Sequence, residues 1–370
     1  MSVWSLSYAE CANTGTYLPV YTDRNELYRR VCAKERTTKH QVVALNQVLE
    51  EDHPDVVFHY GLTSEDLSHN SRWTQVDLVI SKVSHLLRDL VQHVAVLAES
   101  VHTPVLAHTH GQAATPVMLG AYLKAKLKHL PIVRPQFRLG GSNGQLTALR
   151  YATGLNDFNN LANNWLKRVK HHVRGLESTH IIVPTEDCGL LQVGPSNDAT
   201  LLTAISVCLK TRALARALWD HCYRGILTSA SSSGQAGSSA MPHKVNPIEL
   251  ENAEGCFSNA YHTFINALEA NSDSRGLRDL SNSVVNRQMQ EGWCYLFLGL
   301  NSLITGVSKS VYRKDLIIKE LKANPGCLSE LLRYYMQAVE GRADPYWDLK
   351  DNPPTDFDET IKRMSEWTII

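Results

Sequence analysis

From Val79 the apolar positions Val83, Leu86, Leu90, Val94, Leu97 and Val101 recur at steps of three and four, the period of a helix that buries one stripe. A second series runs through Leu201, Leu202, Ile205, Leu209, Leu214 and Leu218 toward Ile226, and a third from Val284 through Leu296, Leu300 and Leu303. Stripes of this length bury themselves against other long helices, so the pattern predicts a bundle. Alternation with period two is scarce. Ile181-Ile182-Val183-Pro184 is the best strand candidate, and the chain reads as all-α with at most a minor hairpin. Glycine, proline and small polar residues cluster at 140–144, 184–197 and 341–356, which marks loops there. The last fourteen residues form at most one amphipathic helix.

Composition narrows the class. At 370 residues the chain exceeds the usual single core, so two or three lobes are expected. Lys plus Arg and Asp plus Glu both number 37, which removes any overall pull toward nucleic acid or an anionic membrane; an anion site must be local. The eight cysteines, at 11, 32, 188, 208, 222, 256, 294 and 327, show no C-x-x-C and no zinc spacing, and read as ordinary buried thiols of a reducing compartment. The first ten residues lack a basic stretch followed by an apolar one, and the longest apolar run, near 293–300, falls far short of the roughly 20 residues a membrane helix requires. A cytoplasmic protein is expected.

The densest chemistry lies in Ser231-Ser-Ser-Gly-Gln-Ala-Gly-Ser238-Ser239-Ala-Met241-Pro-His-Lys244-Val-Asn246-Pro-Ile-Glu-Leu-Glu251. Hydroxyls, free backbone N–H groups, a lysine and a distal carboxylate share one loop that runs into a predicted helix over 248–260. Such donors stabilise charge that appears only during a reaction, because they need no reorganisation when it forms. A flexible linker is the bland alternative, against which Pro247 at a helix start argues. Thr109-His110-Gly111-Gln112 places an imidazole beside glycine in a tight polar turn, suited to proton donation near neutrality. A loop histidine without catalytic role, or a His108/His110 metal pair, are the alternatives; further ligands for a metal are not identifiable nearby. Thr63-Ser64-Glu65-Asp66 reads as a helix N-terminus, which caps itself and equally binds carboxylates. Ser283 and Arg287 share a helical face with Arg278 just before it, a cationic and hydroxylic patch that suits phosphate. His40 opens a further helix and by itself says little.

Gly237-Ser-Ser-Ala-Met-Pro-His-Lys-Val-Asn-Pro247, together with Thr-His-Gly-Gln at 109–112, Thr-Ser-Glu-Asp at 63–66 and Arg-Asp-Leu followed by Ser283 and Arg287, resembles the signature of the fumarase/aspartase superfamily, and within it the adenylosuccinate lyases of bacterial type. The resemblance runs in order from about Arg36 to Tyr346. It implies elimination of fumarate from N6-succinyl-AMP and from SAICAR in purine biosynthesis, without metal or organic cofactor. Carried over by position, Ser238 is the general base, His110 the general acid, Lys244 part of the catalytic set, and Glu251 the acid that orients His110. Lys244 and Asn246 hold succinyl carboxylates with Thr63 and Ser64; Gln192 binds substrate; Arg278, Ser283 and Arg287 meet phosphate; His40, Thr109, Gln112, Ser239 and Met241 line the substrate site.

The resemblance also implies a three-lobed helical fold: a shortened head over 1–60, a long central bundle with the signature loop over 61–312, and a shortened tail over 313–370. Four bundles form the core of a homotetramer whose active sites are shared between subunits, with no nucleic-acid or membrane partner. Two departures stand out. An Arg-Tyr pair usual in the family before position 36 has no clear equivalent, and Gln41 follows His40 where aspartate is common. A sister lyase acting on argininosuccinate or a dicarboxylate, and a catalytically silent structural oligomer, are the competing readings.

Overall fold

The computed structural model describes residues 1–12, 21, 23–101, 103–127, 130–184, 196–230, 237–238, 240–272 and 274–365. These form fourteen α-helices: α1 (Ser2–Ala12), α2 (Arg24–Thr38), α3 (Gln41–Asp52), α4 (Ser64–Glu99), α5 (Leu119–Leu127), α6 (Thr147–Thr153), α7 (Phe158–His172), α8 (Asp198–Tyr223), α9 (Ile248–Ser272), α10 (Ser281–Lys309), α11 (Lys314–Lys322), α12 (Ser329–Ala338), α13 (Tyr346–Asp351) and α14 (Phe357–Ser365). The fold is all-α, as the apolar periods predict. Strands are short and come in pairs: antiparallel β1 (Pro104–Thr109) with β2 (Gln112–Met118), parallel β3 (Phe137–Arg138) with β4 (Ile181–Ile182), and antiparallel β5 (Leu227–Ser229) with β6 (Ser310–Tyr312).

Contacts divide the chain into two units, one of residues 1–85, 131–207 and 259–295, the other of residues 86–130, 208–258 and 296–370. The long helices α4, α8, α9 and α10 each give one stretch to either unit. Their buried positions follow the predicted stripes with local shifts. In α4 Val83, Leu90, Val94 and Leu97 are buried, but Leu87 takes the place expected for Leu86. In α8 Leu201, Ile205, Leu214 and Leu218 are buried, whereas Leu202 and Leu209 face outward. In α10 the buried line is Met289, Trp293, Leu296, Leu300, Leu303 and Val307, and Val284 lies outside it.

Helices α9 and α10 meet through a repeat that apolar periodicity does not reveal. Gly292, Gly299 and Gly306 recur at seven residues, and a Cβ on each would press against Phe264, Phe257 and Leu250, themselves seven apart. The bulky side chain of one helix occupies the space the other leaves vacant, so the axes come close. The first of these contacts belongs to the first unit and the other two to the second.

Within the first unit the start of α4 is locked by Asp66. Its carboxylate accepts the backbone N–H of Thr63 at 2.8 Å, closing a capping turn, and those of Gly140 and Gly141 at 2.9 and 3.0 Å. Arg138 lies 3.4 Å away, and both side chains are fully buried. Gly141 adopts φ +66° with the Gly61 carbonyl close to where a Cβ would stand, so glycine is required there. The predicted loop at 140–144 is thus pinned onto the helix start.

Of the cysteines read as buried thiols, Cys208, Cys256 and Cys327 are buried; Cys11, Cys32 and Cys222 are half-buried, Cys294 is exposed, and Cys188 lies outside the described residues. No helix among the described residues is long and apolar enough to cross a membrane.

Candidate active site

In the second unit the predicted polar turn is the tip of the β1–β2 hairpin. Thr109 pairs with Gln112, and the two residues between them, His110 and Gly111, have φ of 52° and 73°. Positive φ at both central positions matches the twist of the flanking strands, which is why a two-residue hairpin turn adopts it. Glycine tolerates this freely; histidine does so at a cost, and strained backbone positions of this kind concentrate at functional sites. Thr109, His110 and Gln112 are all exposed at the tip. The sequence pattern had suggested a turn there without its strands, because residues 104–118 mix apolar and polar positions without regular alternation.

The signature segment folds back on itself before α9. The Ser238 hydroxyl accepts the Met241 N–H at 3.2 Å, the Lys244 N–H donates to the Met241 carbonyl at 3.0 Å, and the Asn246 N–H reaches the Gly237 carbonyl at 3.4 Å. At Gly237 a side chain would collide with the Lys244 carbonyl and the Val245 Cα, so this closure needs glycine. The Glu251 N–H bonds the Pro247 carbonyl in the first turn of α9. Met241, Lys244 and Glu251 are exposed, while Ser238 and Asn246 are half-buried. Glu251 accepts the Trp219 indole N–H at 3.0 Å. Among the described residues, no hydrogen bond or ion pair joins His110 to Ser238, Lys244 or Glu251. Ser239 lies outside the described residues.

In the first unit three segments converge. His40 caps α3, its Nδ1 accepting the Val43 N–H at 3.4 Å, and its Nε2 stands 3.5 Å from the Ser64 hydroxyl at the start of α4. Glu65, the next residue, holds the Arg278 guanidinium at 2.7 Å. Arg287 donates to Ser283 at 3.3 Å, one turn along α10, as their spacing predicts. Thr63 is buried at the capping turn. Gln192 lies outside the described residues.

Several residues here escaped the sequence reading. Glu65 looked like a first-turn helix acid, yet it is buried against Arg278, whose Nη1 is itself buried with no hydrogen-bond partner among the described residues. Arg72, two turns along α4 from Glu65, is held below the usual guanidinium range by burial, opposed by Glu65 and reinforced by Arg278. His59, at φ 61°, carries a buried Nε2 without a partner among the described residues, and burial lowers its pKa against the opposing pull of Asp66. Asp279 is held well below the carboxylate range by the Ser281 hydroxyl and the backbone N–H groups of Arg275 and Ser281, which shapes the turn into α10. None of the predicted site residues lines the first-unit cavities of about 600 and 720 Å³. Among the described residues no cluster of three His, Cys, Asp or Glu is placed to hold a metal ion.

Comparison with known proteins bears on these arrangements. The profile of a family described as "Lyase" matches residues 207–261, which span the end of α8, the signature segment and the start of α9. Curated relatives include the adenylosuccinate lyases of Dictyostelium discoideum, 28% identical over 337 residues (86% of this chain, 70% of that one), and of Vibrio cholerae, 28% identical over 342 residues (87% and 72%). That of Escherichia coli is 28% identical over 345 residues, again 87% and 72%. Among solved structures, a 3-carboxy-cis,cis-muconate lactonizing enzyme from Pseudomonas putida superposes with TM-score 0.67 at 17% identity, covering 99% of this chain and 81% of that one. A fumarate lyase from Mesorhizobium sp. BNC1 does so with TM-score 0.66 at 15% identity, covering 99% and 86%. These two likenesses speak to fold alone. With its signature segment and its run of adenylosuccinate lyase relatives, the chain is similar to the lyases of the fumarase/aspartase superfamily.

Proposed function

We propose that this protein is a carbon–nitrogen lyase that eliminates fumarate from N6-succinyl-AMP, leaving AMP, and likewise from SAICAR, leaving AICAR. Ser238 Oγ takes the proton from the succinyl carbon next to a carboxylate. The electron pair of that C–H bond becomes the new C=C bond, the C–N pair leaves with the purine nitrogen, and His110 protonates that nitrogen. The proton removed is weakly acidic, and its loss loads a second negative charge onto the neighbouring carboxylate. Lys244, Asn246, Thr63 and Ser64 answer that charge with a cation and fixed donors, the contribution that preorganised electrostatics makes. Glu251 orients His110. Arg278, Ser283 and Arg287 bind phosphate, Gln192 binds substrate, and His40, Thr109, Gln112, Ser239 and Met241 complete the lining. The Nη1 of Arg278, buried without an acceptor among the described residues, is a natural partner for an anionic oxygen.

The observation that carries this reading is the self-closing turn at Gly237–Pro247. It anchors the Ser238 hydroxyl on a backbone N–H and presents Lys244 six residues on, at the entrance to α9. The protein acts as a homotetramer with shared active sites, in the cytoplasm, where its free thiols stay reduced. Two features support this assembly. Among the described residues His110 makes no bond with Ser238, Lys244 or Glu251, and the long helices leave Leu202, Leu209, Ile265, Phe297 and Leu298 exposed. In an absorbance assay, succinyl-AMP is consumed and argininosuccinate and malate are not; Ser238→Ala abolishes turnover while still binding substrate. An unchanged rate in that variant refutes the base assignment. Active monomer at micromolar concentration in the ultracentrifuge refutes the tetramer.

A further inference from the structure

We infer that Trp219 is a positioning residue: its indole N–H fixes one oxygen of the Glu251 carboxylate and thereby aims the other at the imidazole that protonates the leaving nitrogen. The inference rests on the reading of Glu251 given under Proposed function and extends it by one residue. Three contacts within the second unit set the indole. Its Nε1 donates to Glu251 Oε1 at 3.0 Å. Tyr223, one turn further along α8, stacks on it with ring centroids 6.0 Å apart and planes within 8°. Arg216, three residues before Trp219, holds Glu254, three residues after Glu251, at 2.6 Å.

Residues three apart on a helix lie on the same side, so the two cross-helix contacts sit one turn apart on an antiparallel pair. The Arg216–Glu254 pair therefore sets the register that brings Trp219 to Glu251, and the Tyr223 ring restricts the plane in which the N–H points. A carboxylate on an exposed helix start otherwise samples several rotamers, of which only some place an oxygen toward a histidine. An indole is a donor only, so it cannot itself compete for the proton that the imidazole carries.

The test uses the full-length protein. Trp219→Phe keeps a ring and removes the donor; Glu251→Gln keeps an acceptor and removes the charge. With succinyl-AMP as substrate, Trp219→Phe lowers kcat about tenfold, the scale of one hydrogen bond to a charged group, and leaves KM near the wild-type value. In a Glu251→Gln background the same substitution has no further effect, because both act through one carboxylate. In parallel, 15N-indole spectra assign the Trp219 N–H resonance by its disappearance in Trp219→Phe, and Glu251→Gln shifts it. Wild-type kcat in Trp219→Phe alongside a crippled Glu251→Gln overturns the inference and spares the role of Glu251. Full activity in Glu251→Gln overturns that role itself, and the inference with it. An indole resonance indifferent to Glu251→Gln overturns the hydrogen bond on which the inference stands.

Discussion

Replacing Asp66 by alanine tests how the first unit fixes the start of α4 and the loop at 140–144. The carboxylate answers three backbone N–H groups, of Thr63, Gly140 and Gly141, and lies 3.4 Å from the guanidinium of Arg138, with both side chains at 0% exposure. Asp66→Ala leaves those N–H groups without their acceptor and takes the carboxylate from beside a buried positive charge. Each buried donor left unanswered costs about 1–3 kcal/mol, and breaking a buried ion pair from one side about 3–5 kcal/mol. The terms overlap, since water entering the gap serves several groups at once, so the net loss is about 3–5 kcal/mol. Against a total stability on the order of 5–15 kcal/mol this is a large fraction. Asp66→Asn, which keeps one acceptor oxygen but turns an amide donor toward the remaining N–H groups, loses less than alanine and more than a surface substitution. The assay is urea unfolding followed by circular dichroism at one fixed protein concentration, which holds any effect of self-association constant. A fall in midpoint with unchanged slope reports stability directly. A loss under about 1 kcal/mol for Asp66→Ala, with cooperative unfolding, refutes the argument that this carboxylate pins the loop at 140–144 to the start of α4.

Further outcomes are as definite. Gly299→Ala gains about 1 kcal/mol of helix propensity, yet its Cβ would lie 2.7 Å from the Phe257 ring and 3.1 Å from the Cys256 Cβ, so overpacking of about 1–3 kcal/mol wins and thermal unfolding moves down; a higher Tm refutes the close approach of α9 and α10. Burial, reinforced by Arg224, holds His221 down to about 4, where its Nδ1 meets the Tyr312 hydroxyl at 2.7 Å. The folded pKa lies below the unfolded value near 6.5, so this contribution is fully present above pH 6.5. It is lost as pH falls from 6.5 toward 4, by about 3 kcal/mol. The stability difference between wild type and His221→Gln shrinks over that window; a pH-independent difference refutes the assignment. Glu65→Gln frees the Arg278 guanidinium from its 2.7 Å pairing, and raises KM for succinyl-AMP about tenfold with kcat retained; an unchanged KM argues against Arg278 as a phosphate ligand.

The local geometry of the candidate site segments was legible because it is made within short stretches of chain. The signature segment keeps Ser238, Lys244, Asn246 and Glu251 within fourteen residues, and its glycine is required by a closure the segment makes with itself. Ser283 and Arg287 meet through simple helical spacing. The positive-φ pair at His110 and Gly111 follows from a histidine followed by glycine in a turn, although the strands beside it do not alternate clearly. Glu65 and Trp219 were not legible. One reads as a helix-start acid and the other as an apolar position of α8, and nothing in their neighbours announces Arg278, 213 positions from Glu65, or Glu251, 32 positions from Trp219.

Sequence by itself determined the all-α class, the long helices α4, α8, α9 and α10, and which short segments carry hydroxyl, imidazole, ammonium and carboxylate groups. It did so because hydrophobic period and turn chemistry act over a few residues. Tertiary structure alone decided that Leu87 rather than Leu86 enters the core, and that glycines at 292, 299 and 306 face Phe264, Phe257 and Leu250. It also decided that Asp66 gathers N–H groups from 74 and 75 positions away. The rotation of a helix about its axis and the partner of a buried charge depend on how whole elements pack, and packing density penalises an error of one methyl group that no local pattern records.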